Sequence, residues 1–96
     1  MQAVLAANNA FHDELARRCG NSLLESLINN LRNRIILLRV ESLSLPGRPP
    51  RSVAEHRDVL GHVRAHDPEG ARRSMEAHIL RAWEAARQQL TEEGKR

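Results

Sequence analysis

The centre of this 96-residue chain carries a cluster of helix-breaking residues, Pro46, Gly47, Pro49 and Pro50. Proline lacks a backbone N–H and its ring obstructs the preceding turn, so the interior of a helix cannot pass through this segment. On both sides of it, apolar residues recur every three to four positions, which is the period of an amphipathic helix. The sequence therefore predicts helices before and after a connection that spans residues 43–51.

Two further breaks divide the flanking stretches, so that four helices are predicted. Gly20-Asn21 is typical of a helix end, because glycine readily adopts the left-handed conformation of a C-cap. Asp67-Pro68 is typical of a helix start, with aspartate at the N-cap and proline at the first helical position. The predicted helices cover residues 2–19, 22–42, 52–66 and 68–90.

The third helix is predicted to begin at Ser52, because Ser52-Val53-Ala54-Glu55 has the form of a capping box. In each predicted helix one face is mainly apolar. These faces comprise Val4, Asn8, Phe11, His12, Leu15 and Cys19 in the first helix; Leu24, Leu27, Ile28, Leu31, Ile35 and Leu38 in the second; Val53, His56, Leu60 and Val63 in the third; and Ala71, Met75, Ile79, Ala82 and Ala86 in the fourth.

The predicted fold class is all-α, an antiparallel helical bundle of about four helices. Aromatic residues make up 2% of the chain, which disfavours a β-sandwich and also a base-stacking surface for single-stranded nucleic acid. Residues 1–90 are expected to form one domain, and residues 91–96 a polar, frayed C-terminal tail.

Charge and cysteine content exclude several classes of protein. The 15 basic and 12 acidic residues give a net charge of +3, and the arginines are scattered, which favours solvated helix faces over a nucleic-acid surface. Cys19 is the only cysteine, so no internal disulfide is possible, and a reducing, cytoplasmic location is expected. No apolar run is long enough for a membrane span.

Three of the five histidines lie on apolar faces. His12, His56 and His78 belong to three different predicted helices, whereas His62 and His66 point away from the apolar face of the third. An imidazole on a core face needs polar partners. A single one is usually a satisfied core residue, but three on separate helices suggest a shared centre.

A metal ion would satisfy these imidazoles together. Asn8 precedes His12 by four residues, so both side chains share one patch of the first helix. His56 and His78 from two other helices would complete the ligand set. Neutral imidazole suits zinc, nickel, copper or iron.

Four motifs in order resemble the FadR-like C-terminal ligand-binding (FCD) domain of GntR-superfamily transcription regulators. Asn8-Asn9-Ala10-Phe11-His12, with Gly20-Asn21 after it, resembles the Asp/Asn-x-x-Phe-His…Gly-Asn signature of that family. Glu55–Leu60 resembles the start of its Glu-His helix, His66–Ala71 its turn before the last helix, and Met75–Ile79 its Met-x-x-His helix. The resemblance covers about residues 5–86.

The resemblance implies an effector-sensing and dimerisation domain with a divalent metal, zinc or else nickel or manganese. The metal ligands carried over by motif position are Asn8, His12, His56 and His78. The family often has aspartate at the position of Asn8, so asparagine would leave the metal more of its positive charge. A small organic acid effector is expected to bind the metal through a carboxylate, with Arg34 and Arg39 as candidate clamps for a second carboxylate.

The resemblance also implies partners. A homodimer is expected, and DNA is expected to be contacted only through a winged-helix domain, which these 96 residues do not contain. The first two helices of the family domain are also expected to be absent, so that apolar surface is left uncovered and promotes self-association.

The same residues also bear on two other functions. A three-histidine metal could activate water for hydrolysis, but no catalytic partner is evident, and the capping box accounts for Glu55, so an enzyme is not expected. A metal-free structural or interaction bundle is the main alternative.

Overall fold

The computed structural model describes residues 2–95, which form four α-helices and no strand. The all-α fold class is therefore confirmed. No helix among these residues is long and apolar enough to cross a membrane. The helices are α1 (Gln2–Arg18), α2 (Ser22–Ser44), α3 (Arg48–Arg64) and α4 (Pro68–Gly94).

Local capping chemistry sets two of the connections as predicted. Gly20 lies in the left-handed region at φ 73°, and the Asn21 side chain then accepts a hydrogen bond from the Leu24 N–H at 3.0 Å. Asp67 is the N-cap of α4 and accepts a hydrogen bond from the Gly70 N–H at 3.0 Å, with Pro68 at the first helical position. Each side chain satisfies a backbone donor that the helix itself leaves free.

The predicted start of α3 is wrong. The helix begins at Arg48 after Gly47, which adopts φ 83°, and Pro49 and Pro50 lie within its first turn. Prolines are tolerated there because first-turn N–H groups have no intrahelical partner. Ser52 is thus in the helix interior rather than at the N-cap, so the capping-box interpretation of Ser52 and Glu55 is also wrong.

The buried face of α3 differs from the predicted one. Arg48, Ser52, Glu55 and Val59 are buried, whereas Val53 and Val63 are 45% and 47% exposed. The inward line is therefore displaced by about one residue, or about 100° around the helix. Three of these four residues are polar, and two of them, Arg48 and Glu55, bind each other, so a search for apolar spacing does not detect this line.

The predicted apolar face of α2 is largely uncovered. Leu24, Leu27, Leu31 and Leu38 are 42–51% exposed, while Ser42 and Leu43 near the end of the helix are buried. In α4, which extends to Gly94 rather than Leu90, Ala86 is buried as predicted, but Ile79 of the same predicted face is 56% exposed. Among residues 2–95, the buried apolar residues are Leu43, Val59, Ala85 and Ala86.

Side-chain contacts between helices show the antiparallel order. Between α1 and α2, Asp13 binds Arg32 and Asn9 binds Arg39, so the two helices run in opposite directions. Between α3 and α4, Glu55 binds His78, and His62 binds Asp67 at the N-cap of α4, which gives the same relation. Connections of three residues join these neighbours, as expected for an up-and-down bundle.

Alanine substitutions at two glycines are expected to have different effects on the free energy of unfolding. A Cβ at Gly61, inside α3, would meet nothing within 4 Å, so Gly61→Ala should stabilise the fold by about 0.8 kcal/mol through helix propensity. A Cβ at Gly70 would collide with the Asp67 carboxylate and the His62 ring, so Gly70→Ala should not stabilise. Urea denaturation of both variants tests this, and equal stabilisation would contradict it.

Candidate metal centre

Three imidazoles from three helices meet inside the bundle. The Nε2 atom of His78 on α4 lies 3.2 Å from Nε2 of His56 on α3 and 3.4 Å from Nε2 of His12 on α1. One nitrogen of each ring falls within 4.8 Å of those of the other two. His78 is buried, with 3% of its surface exposed, and the other two are partly buried. The predicted convergence of these histidines is therefore present.

Ring packing holds the cluster in place. Phe11 stacks on His56 with a centroid separation of 4.0 Å and an interplanar angle of 9°. His12 meets His56 edge to face at 5.0 Å. The only phenylalanine of the chain thus covers one face of a cluster histidine and restricts its rotation.

The other ring nitrogen of His78 is bound by a carboxylate. Nδ1 of His78 lies 2.7 Å from Oε1 of Glu55. Arg48 in turn donates two hydrogen bonds of 2.8 Å to the two oxygens of Glu55. All three side chains are buried, so a continuous chain of hydrogen-bonded side chains, Arg48–Glu55–His78, runs from α3 to the histidine cluster.

Asn8 lies one helical turn from His12 and is also buried, with 8% of its surface exposed. Its Nδ2 donates to Ser52 Oγ at 3.3 Å, while its Oδ1 makes no hydrogen bond within residues 2–95 although it is buried. An unpaired buried carbonyl oxygen is costly, because it has lost water without gaining a donor. A cation would satisfy it.

Burial keeps the imidazoles neutral. Burial lowers the pKa of His12 to about 3, with the nearby Arg39 charge as the next cause, and lowers the pKa of His56 to about 4 with help from His78. Burial also lowers the pKa of His78, against the opposing effect of Glu55. Burial alone would raise the pKa of Glu55, but hydrogen bonds from Arg48 and His78 together hold it below its usual value. Neutral imidazole is the form that binds metals.

The metal-free protein is expected to lose stability as the pH falls from about 6.5 to 5. The unfolded histidines gain protons near their ordinary pKa, while folded His12 and His56 do not until about pH 3 and 4, so acid favours unfolding. Each contributes a slope of at most about 1.4 kcal/mol per pH unit. Urea denaturation of chelator-treated protein measures this. His12→Gln should flatten the slope, and a slope unchanged by that substitution would contradict the assignment.

The remaining predicted site residues lie in different places. Arg39 is partly buried, donates to Asn9 Oδ1 at 2.8 Å, and lies close enough to lower the pKa of His12. Arg34 is exposed on α2. His62 binds Asp67 at 3.1 Å and His66 is exposed, so both lie outside the cluster, as predicted.

Sequence reasoning missed Arg48, Ser52 and Glu55 as parts of the site. The sequence pattern explains Glu55 by a capping box, and the prolines place Arg48 in the predicted connection. The available signal was the spacing of these three residues with Val59, which repeats at intervals of four, three and four along one helix face.

The donor set fits a divalent metal on two observations. Nitrogens bound to a tetrahedral zinc at about 2.05 Å lie about 3.3 Å apart, close to the 3.2 and 3.4 Å that separate Nε2 of His78 from the Nε2 atoms of His56 and His12. The unpaired Oδ1 of Asn8, one helical turn before His12, would offer a further oxygen. Three imidazoles and an amide oxygen suit zinc, nickel or another borderline cation.

The fold and the cluster together define an all-α domain with a candidate metal centre built from three of its helices. The family model for the FCD domain matches residues 1–81 of the 96. The chain therefore belongs to the FCD family, the regulatory domains of GntR-type regulators. No curated protein and no solved structure matches the chain in the corresponding comparisons.

Proposed function

We propose that this chain is the effector-sensing and dimerisation domain of a GntR-type transcription regulator of the FadR subfamily. In this proposal Asn8, His12, His56 and His78 bind a divalent metal, zinc or else nickel or manganese. The observation that carries the proposal is the convergence of three Nε2 atoms from α1, α3 and α4 in a family of regulatory domains. The role is regulatory rather than enzymatic, as is typical of FCD domains.

The bound metal would supply a positive charge that attracts the carboxylate of a small organic acid. Because Asn8 is neutral, the four proposed ligands do not cancel this charge. Arg39 is the stronger candidate for a second carboxylate contact, since it is partly buried near His12, whereas Arg34 is exposed. The Arg39 guanidinium can bind a carboxylate through two donors.

A pocket of about 330 Å³ beside the cluster offers room for the rest of the effector. Asn8, Ser52 and His56 line one part of it. The remaining lining residues carry apolar side chains: Ala3, Val4, Ala7, Leu43, Pro49 and Val53. Small-molecule sites commonly combine apolar walls with a few polar groups in this way.

Dimerisation is supported by the exposed apolar face of α2. Leu24, Leu27 and Leu31 lie at helical spacing on one side and are 42–51% exposed. An uncovered apolar row of this kind favours self-association. Light scattering during size-exclusion chromatography should show a dimer, and a clean monomer at tens of micromolar would contradict the proposed dimerisation.

In the proposal, DNA is contacted in the cytoplasm through a winged-helix domain of the whole regulator.

Metal titration tests the proposal directly. Protein purified without a histidine tag and treated with chelator should bind one zinc, nickel or manganese ion per chain and melt at a higher temperature. Dicarboxylates, sugar acids and short monocarboxylates should then be tested with and without metal. The effector should stabilise only the metal-loaded protein, by about 2.7 kcal/mol at a hundredfold excess over its Kd.

The competing function is a metal-free structural bundle. It is favoured by the contacts of His78, which is within hydrogen-bonding distance of Glu55 and of both other histidines and so has partners without a metal. Failure to bind any of the three metals, with no thermal stabilisation, would establish this alternative and contradict the proposed function.

A further inference from the structure

The hydrogen-bonded chain Arg48–Glu55–His78 is more strongly held than a surface ion pair. Arg48, Glu55 and His78 are 5%, 8% and 3% exposed, and both Arg48–Glu55 hydrogen bonds measure 2.8 Å. Arg48 and Glu55 lie two turns apart on the same face of α3, so the helix backbone fixes their relative positions. The Glu55 carboxylate therefore has little freedom to turn away from His78.

The protonation chemistry of this contact determines which nitrogen of His78 is free. An ionised carboxylate only accepts hydrogen bonds, so Nδ1 of His78, 2.7 Å from Glu55 Oε1, must carry the ring proton. In the neutral ring Nε2 is then left with a lone pair. That atom is the one that faces His56 and His12, at 3.2 and 3.4 Å.

We infer that Glu55, clamped by Arg48, is a positioning residue that fixes the Nδ1–H tautomer and the orientation of His78 and so presents its Nε2 to a metal. The metal-binding part of this inference rests on the proposed function, but the tautomer does not. Carboxylates that orient ligating histidines typically contribute 10- to 100-fold to metal affinity. On α3, neighbouring residues thus have different tasks, since His56 faces the other histidines and Glu55 orients His78.

The tautomer can be read in the metal-free wild-type protein by ¹⁵N NMR at pH 7. We expect a protonated Nδ1 and an unprotonated Nε2 for His78. Finding the proton on Nε2 instead would overturn the inference. This measurement needs neither a bound metal nor a variant that folds.

Metal affinity gives the second readout. Glu55→Gln keeps an oxygen acceptor but removes the charge, and Arg48→Lys keeps the charge but removes the two-point clamp. We expect zinc affinity, measured by competition with a chromophoric chelator, to fall at least 10-fold in Glu55→Gln and by a smaller factor in Arg48→Lys. The cobalt absorption spectrum should shift in Glu55→Gln. Glu84→Gln, which breaks an exposed ion pair with Arg87, is the control and should bind zinc normally.

The outcomes separate the two proposals. Wild-type zinc binding with unchanged affinity in Glu55→Gln would show that Glu55 is only structural and overturn the inference alone. Absence of zinc, nickel and manganese binding by the wild type would overturn the proposed function and the metal-binding part of the inference, while the NMR result would still decide the tautomer.

Discussion

Alanine in place of His78 is expected to abolish metal uptake, with a loss of zinc affinity of at least about 100-fold. His78 is the central member of the cluster, because its Nε2 lies within 3.4 Å of the Nε2 atoms of both other histidines. Of the proposed ligands, its removal would leave two imidazoles and the Asn8 amide oxygen, which is too few donors for a closed tetrahedral site. Zinc content after dialysis, and competition with a chromophoric chelator, measure the loss.

His62→Ala is the matched control for this substitution. His62 is also a partly buried histidine with a carboxylate partner, since its Nδ1 lies 3.1 Å from Asp67, but it lies outside the cluster. The His62→Ala variant should bind zinc as the wild type does. An equal loss of zinc in both variants would contradict the assignment of the site.

Asn8→Asp is expected to tighten zinc binding, because a carboxylate in place of the Asn8 amide would add negative charge beside the ion.

Alanine in place of Glu55 is expected to lower the free energy of unfolding by about 3 kcal/mol. The substitution leaves the Arg48 guanidinium, which is 5% exposed, without its bidentate partner. Arginine cannot shed its charge at any ordinary pH, so it must stay buried and uncompensated or move into water. Urea denaturation of metal-free protein at pH 7 measures the effect without a contribution from metal binding.

A second bidentate pair in the same chain serves as the control. Arg32 binds Asp13 through two hydrogen bonds of 2.8 and 2.7 Å, but its side chain is 43% exposed and that of Asp13 38%. Water already solvates these charges, so Asp13→Ala should cost less than about 1 kcal/mol. Similar losses in the two variants would show that burial does not determine the strength of the Arg48–Glu55 pair.

The sequence predicted features that local chemistry decides. Gly20 ends α1 and Asp67-Pro68 begins α4 because a left-handed glycine and a capping aspartate act within a few residues of the chain. The three inward histidines could also be found, since an imidazole on an apolar face conflicts with the helical pattern around it.

Features that depend on distant partners were not predictable in the same way. Pro49 and Pro50 are compatible with a loop and with a first helical turn, and in the structure they lie in the first turn of α3, where Arg48 binds Glu55 two turns further along. A search for apolar spacing does not detect the buried face of α3, because three of its four buried residues are polar. On α2 the leucine period correctly indicated a helix, but a period does not show whether another element covers that face.

The sparse packing of α1 has a consequence for how metal binding would be communicated. Within this helix Asn8 alone is buried, and its companions in the interior are Phe11 and His12, which contact His56 and His78. An ion bound by residues of α1, α3 and α4 would therefore connect α1, the helix with the fewest buried residues, to α3 and α4. Metal binding would then stiffen α1 (Gln2–Arg18), which should be visible as slower amide hydrogen exchange along this helix.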